Sequence, residues 1–431
     1  MTALLFGGFL VLLLAGVPLA TALGIVGALV ILVHDLGAMS IATNVYSSLA
    51  KYPLLALPVF ILAGMIFERA GVAAKLVAFA SALVGERRGS QGVVAILVCM
   101  FLGGISGSGP ADAAAVAMVM LPSMTRQGYP KGFSASLIAA AGSTAILIPP
   151  SIAFVIFTVL VPQVSVPALF AAGMIPGLLA GLSLLVPTLL FAWKYGWGAK
   201  GTDATAAAAE RKSLLATLKD ASWGLAAPIV ILGGLRTGAF TPTEAAVVAV
   251  FYGLFVGVFI YRTLDLAKLY RVLVDSAEIS AVVMLIIACA GIFAHAGSTL
   301  GAFDAMAKAM LSVTREEHLM LAMIMLLLLV AGMLLDAASI FLIFLPILVP
   351  VVNAFGWDMT WFAVLMTMNM AIGQFTPPMA VNLLVTTRVA GIGVEQTVRW
   401  VLWMVLSMLA ALALVAAFPQ LALWLPQQLG Y

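Results

Sequence analysis

Charge is scarce in this sequence. Of 431 residues only 9% are charged, 20 Lys and Arg against 17 Asp and Glu, and the net charge is +3. So few charges cannot solvate the surface of a soluble chain that is 64% hydrophobic, and no arginine-rich face suggests nucleic acid. The three histidines, His34, His295 and His318, show no metal-ligand spacing; His295, inside an apolar run, reads as a packing residue. The two cysteines, Cys99 and Cys289, also lie in apolar segments, where they read as core and form no disulfide framework. No Gly-rich loop precedes a Lys-Ser/Thr pair, which argues against a nucleotide-driven pump. No serine, histidine and acid set stands out, so the chain is not expected to be an enzyme.

What is present is apolar sequence from end to end, as in an all-α polytopic membrane protein. Residues 3–33 have no basic leader and break at Gly16-Val17-Pro18, so they read as two mature membrane segments. Residues 34–53 and 72–84 are amphipathic candidates around a span over 54–67, which Glu68 and Arg69 close. Further spans are expected over 168–193, 222–235, 281–293 and 397–418. Thr241-Pro242-Thr243-Glu244 has capping-box spacing with proline at the first helical position. Glu244 is therefore expected to cap a helix running to Ile260.

Two stretches break this pattern in the same way. Residues 103–122, GGISGSGPADAAAVAMVMLP, place a Gly/Ser knot and Asp112 between apolar segments of 12 and 11 residues. At ~1.5 Å per residue each is a rod of roughly 17 Å, too short for a hydrocarbon core of about 30 Å. They read as a re-entrant hairpin. Arg87, Arg88, Arg126 and Lys131 flank it, so it should open to the cytoplasm. The second hairpin, with a tip near Gly332 and Asp336, has acidic flanks at Glu316, Glu317 and Asp358 and should open on the opposite side. After each hairpin comes a span interrupted at mid-membrane, at Gly142-Ser143-Thr144 through Pro149-Pro150 and at Gly373-Gln374-Phe375-Thr376 through Pro377-Pro378.

The halves are expected to be inverted repeats. Asp112 and Asp336, Pro122 and Pro346, and Pro18 and Pro242 are each 224 residues apart, while Pro377-Pro378 lies 228 after Pro149-Pro150, a shift of four. The first repeat would cover 1–193, with its hairpin at 89–125 and broken helix at 132–161. A cytoplasmic linker would cover 194–221. The second repeat would cover 222–431, with its hairpin at 316–352 and broken helix at 361–388. In inverted-repeat transporters the sites lie near the midplane, where unwound carbonyls and half-helix ends converge. Transport here must then run on an ion gradient or on a partner. Candidate cation ligands are carbonyls and the hydroxyls of Ser106, Ser108, Ser143, Thr144, Ser339 and Thr376, an oxygen-only set that suits sodium. Asp112 and Asp336 are either ion ligands or caps of the second hairpin helices.

SGSGPADAAA (106–115), GYPKGFSASLIAAAGSTAILIPPS (128–151), GAFTPTEAA (238–246) and GQFTPP (373–378) carry a resemblance across nearly the whole chain. The chain resembles the large membrane subunit of the tripartite ATP-independent periplasmic (TRAP) transporters, the DctM-like family. The resemblance implies a mobile transport domain of hairpins and broken helices on a scaffold, in the bacterial inner membrane, moving as an elevator. It also implies a small four-helix membrane subunit as a separate chain, and a periplasmic binding protein delivering an organic acid such as a dicarboxylate or sugar acid, with sodium as the driving ion. One sodium site would involve Ser106, Gly107 and Ser108 with the break from Gly142 through Ser143 and Thr144 to Pro149. A second would involve Gly332, Asp336, Gly373, Thr376 and Pro377. Ser108, Asp112, Gln374 and Asn382 are the candidate substrate contacts. Gln374 and Phe375 stand where the family usually has two aliphatic residues, and Met379-Ala380 where valine and glycine are common. The alternatives are a stand-alone sodium/dicarboxylate symporter and, from a different class, a passive channel with a continuous polar pore.

Overall fold

The computed structural model describes residues 3–198 and 213–431, and every regular element among them is a helix. Among the described residues, seven helical segments are long and apolar enough to cross a membrane. Local chemistry sets many of their starts. Ser151, Ser165, Ser213, Asp265 and Asp358 each accept a backbone N–H of the first turn through the side chain. At Thr241 and Glu244 both bonds of a capping box are present, so Glu244 is a cap.

The hairpins fold back as the glycine-rich tips suggest. The first consists of Ser90–Ser106 and Gly109–Arg126, 17 and 18 residues, so its arms are longer than the 12 and 11 residues expected. Length alone would let either arm nearly reach across the core, yet the Ser123 hydroxyl donates to Gln91 Oε1 at 3.2 Å, joining the two feet. The turn between the arms is at Gly107, whose φ of +61° suits glycine. The feet are bonded to the chain after Leu185–Tyr195: Gly89 N donates to Trp197 O and Gly198 N to Gln127 O. The second hairpin, Glu317–Gly332 and Ala337–Phe355, closes in the same way, with Trp357 Nε1 donating to Glu317 Oε1 at 2.8 Å.

The broken helices are Lys131–Ser143 with Ile152–Leu160, and Met359–Gly373 with Val381–Ala390. Proline accounts for each break. Pro149 and Pro150 have no N–H for the carbonyls of Ala145 and Ile146, and the Ser151 hydroxyl takes Ile146 O instead. Likewise Pro377 and Pro378 release Gly373 O to Thr376 N and Gln374 O to Asn382 N. The two broken helices run antiparallel. Asn382, at the start of one half-helix, donates to Ala139 O near the end of another. Further along, an added Cβ on Gly132 would meet Gln396 O, and the Ser136 hydroxyl reaches Thr397 O.

The repeat is real in element order, but its register is not the one that Asp112 and Asp336 suggest. The second hairpin arms begin at Gly109 and Ala337, and the broken helices at Lys131 and Met359, a difference of 228 in both cases. The double prolines share that spacing. The shared DAA word is therefore out of register by four residues, about one helical turn. Other boundaries also shift. A helix spanning Leu214–Arg236 begins inside the stretch expected as linker, and residues 199–212 of that stretch lie outside the described residues. Its polar first turns, with Lys219 and Asp220, disguise a helix that Ser213 caps. The span expected over 281–293 is the apolar part of a 34-residue helix, Leu266–Thr299. The last span is followed by a helix not expected, Gln420–Leu429, which packs on Val166–Ser183.

Two groups of helices result. Leu19–Val33, Ala56–Arg69, Leu214–Arg236, Pro242–Phe255 and Leu266–Thr299 pack mutually, while the hairpins and broken helices pack with Val166–Ser183 and Val398–Ala417. Small residues permit close approach where lipid offers no hydrophobic drive for association. A Cβ on Gly27 would fall 2.8 Å from Phe293 N, inside the first group. One on Gly64 would fall 3.1 Å from Ser106 Cα, where the groups touch.

Candidate functional site

The tip of each hairpin is seated on a break. In the first half, three backbone carbonyl oxygens lie close to the tip. An added Cβ would come within 2.5 Å of Pro150 O at Gly107, 3.5 Å of Pro149 O at Gly104 and 3.3 Å of Gly142 O at Gly109. In the second half, Gly332 and Gly373 meet backbone to backbone, since a Cβ on Gly373 would lie 2.5 Å from Gly332 C. Met379 N also donates to Met333 O, tying the second break to the second tip.

The structure thus brings Ser106, Gly107 and Ser108 beside the break that follows Gly142, and Gly332 beside Gly373. The hydroxyls of Ser143, Thr144 and Thr376 all donate to helix carbonyls, at Ala140, Ala141 and Ile372, so only their lone pairs can face a ligand. A cation needs only lone pairs, and the donor set is oxygen throughout. Among the described residues no group of three or more His, Cys, Asp or Glu side chains converges. Pro377 lies in the second break between Thr376 and the cavity-lining Met379.

The two aspartates have different roles. Asp336 is the N-cap of Ala337–Phe355, accepting from Ala338 N and from the Ser339 hydroxyl. Asp112 lies within the first turn of its helix and caps nothing. It is 3% exposed and accepts from the Ser106 hydroxyl at 2.7 Å, and that same hydroxyl oxygen accepts from Ser108 N.

Between the tips lies a cavity of about 100 Å³ lined by residues of both halves, among them Pro110, Gly332, Asp336, Gln374, Met379 and Val381. Two helices begin at its wall without a side-chain cap, Gly109–Arg126 and Val381–Ala390, so their positive dipole ends favour an anion there, although Pro110 has no N–H and Asn382 N is taken by Gln374 O. Gln374 and Asn382 meet the first tip at one point: an added Cβ on Gly109 would be 2.6 Å from Gln374 Oε1 and 3.0 Å from Asn382 Nδ2. The oxygens Gln374 Oε1, Asn382 Oδ1 and Asp112 Oδ2 are buried without a hydrogen-bond partner. Sequence reasoning missed Pro110 and Met379 as lining residues. It also missed Asn369, buried on the second broken helix with Nδ2 on Met325 O and Oδ1 unpartnered. A lone asparagine in an apolar run was the available signal.

Residues 6–421 match the family described as Tripartite ATP-independent periplasmic transporter, DctM component. The chain is 38% identical to the C4-dicarboxylate TRAP transporter large permease protein DctM of Pseudomonas aeruginosa, over 95% of this chain and 94% of that one. It is 36% identical to the sialic acid TRAP transporter large permease protein SiaM of Vibrio cholerae, over 98% of each. It is also 36% identical to the isethionate TRAP transporter permease protein DctMQ of Oleidesulfovibrio alaskensis, spanning 65% of that protein's length and 97% of its own. In fold it is similar to the YdaH transporter of Alcanivorax borkumensis, with a TM-score of 0.62 at 14% identity, covering 89% of this chain and 88% of that one. The chain belongs to the DctM family of TRAP transporter large permease subunits: it is a multi-pass membrane transport protein and not an enzyme.

Proposed function

We propose that this chain is the transport subunit of a sodium-coupled importer of an organic acid in the bacterial inner membrane. In this reading a periplasmic binding protein delivers the acid and a small membrane subunit braces the helices outside the hairpins. The observation that carries it is the cavity where both hairpin tips meet the second break. Uncapped helix N-termini at Gly109 and Val381 suit a carboxylate, and the carbonyls of Gly142, Pro149 and Pro150 suit a hard cation. Relatives named for C4-dicarboxylates, sialic acid and 2,3-diketo-L-gulonate all point to acidic cargo. The division into two helix groups supports an elevator movement, in which the hairpins and broken helices travel as one body.

Reconstitution tests this. In liposomes, the chain with its small subunit and binding protein should accumulate the acid only with an inward sodium gradient. Sodium-driven uptake by the chain alone would establish the stand-alone symporter instead, and uptake indifferent to sodium would refute the coupling. Thr376→Val and Ser108→Ala should weaken the sodium dependence of uptake more than they lower expression.

A further inference from the structure

We propose that Gln374 and Asn382 form a pair of hydrogen-bond acceptors that selects, among organic acids, those bearing a hydroxyl or amine donor. The inference rests on the cavity being the substrate site. Asn382 is fully buried, and its Nδ2 is committed to Ala139 O at 3.2 Å, which fixes the amide so that Oδ1 is the atom left without a partner. Gln374 lines the cavity, and its Oε1 is likewise buried and unpartnered. The loop holds the two residues together, because Asn382 N donates to Gln374 O at 3.0 Å.

The chemistry of these atoms decides what they can recognise. A carboxylate offers only acceptors, so two bare amide oxygens repel it and cannot be its clamp. The positive dipole ends of the helices that begin at Gly109 and Val381 favour the carboxylate. The amide oxygens are left for the rest of the molecule. A buried acceptor left unpaired in the bound state is costly, and a site built around one rejects the analogue that lacks the donor. This chain therefore differs from a family member with aliphatic residues at positions 374 and 375, where no such demand would arise from side chain 374.

Succinate, malate and tartrate are a suitable probe set: they share a four-carbon chain and two carboxylates and carry zero, one and two hydroxyls. Stabilisation of the purified full chain by each acid in saturating sodium should show half-maximal effects at roughly tenfold lower concentration for the hydroxylated acids than for succinate. Gln374→Leu should collapse that preference while keeping the response to succinate. Gln374→Met provides a second apolar side chain of similar length, and the unliganded melting temperature of both variants reports folding separately. Equal responses to all three acids in the wild-type chain, or a preference that survives both variants, overturn the proposal alone. No response to any of the acids counts against the organic-acid site itself, and the proposal falls with it.

Discussion

Ser106 and Asp112 close the tip of the first hairpin on itself: the serine hydroxyl donates to Asp112 Oδ1 at 2.7 Å, while Asp112 Oδ2, also buried, has no partner. Ser106 is the last residue of one arm, and Asp112 lies in the first turn of the other. The bond therefore spans the turn at Gly107. Removing one partner of a buried hydrogen bond, so that the other is left unsatisfied, costs about 1–3 kcal/mol. Ser106→Ala should lower the unfolding temperature of the purified chain accordingly. Adding Asp112→Leu should return part of the loss, because an apolar side chain of similar size leaves no buried oxygen without its donor. Equal stability of Ser106→Ala and wild type would show that the bond contributes nothing.

The second aspartate invites the opposite treatment. Asp336 caps Ala337–Phe355 through Ala338 N, so Asp336→Ala should destabilise by about 1 kcal/mol while Asp336→Asn keeps most of the cap. Asp112→Asn has no capping bond to preserve. Comparing both asparagine variants in the same melting assay separates a cap from a side chain that braces a tip. Matching losses at the two positions would contradict the assignment.

These two residues also show how far the sequence could be read. The hairpins and breaks were legible because glycine and proline act on the backbone itself, and their placement needs no knowledge of neighbours. Arg87, Arg88, Glu316 and Glu317 gave the two hairpins opposite flank charges for a similar reason. Register was not legible in the same way. In an alanine-rich chain the DAA word recurs cheaply, and its 224-residue spacing outweighed the 228 of the double prolines, which is the spacing the helix starts share. Nor could any periodicity show that Gln374 faces Gly109, because that contact depends on the antiparallel packing of two half-helices from different repeats. Asp112 and Asp336 could be named as important, but their roles follow from a difference of one turn.

Ala380 carries a strain that a single substitution can relieve. It sits at φ +38°, just before Val381–Ala390, in the left-handed region that disfavours a Cβ. Such a conformation costs an alanine roughly 1–2 kcal/mol, partly offset in a glycine variant by the greater freedom of its unfolded chain. Ala380→Gly should therefore raise the melting temperature, with a net gain of about 1 kcal/mol or less. Ala380→Val should lower it, since branching at Cβ adds to the same clash. A glycine variant less stable than wild type would mean that Ala380 contributes packing that outweighs the backbone strain.

The hairpins make a prediction about sidedness that spanning helices do not share. Gln91 and Ser123 are joined at one end of the first hairpin, and Glu317 and Trp357 at one end of the second. Because the broken helices that follow them run antiparallel, these two ends should face opposite sides of the membrane. Cys99 is buried and Cys289 half-buried, and both can be replaced by alanine to give a background without thiols. In that background, Gln91→Cys and Ser123→Cys should react with a membrane-impermeant thiol reagent from the same face, and Glu317→Cys from the other. The pair Gln91→Cys with Ser123→Cys should also cross-link through a short bifunctional reagent, which the same two positions in one continuous helix could never do, being about 50 Å apart. Labelling of Gln91→Cys and Ser123→Cys from opposite faces would replace the re-entrant hairpin with a spanning rod. The cavity between the tips would then have no physical basis.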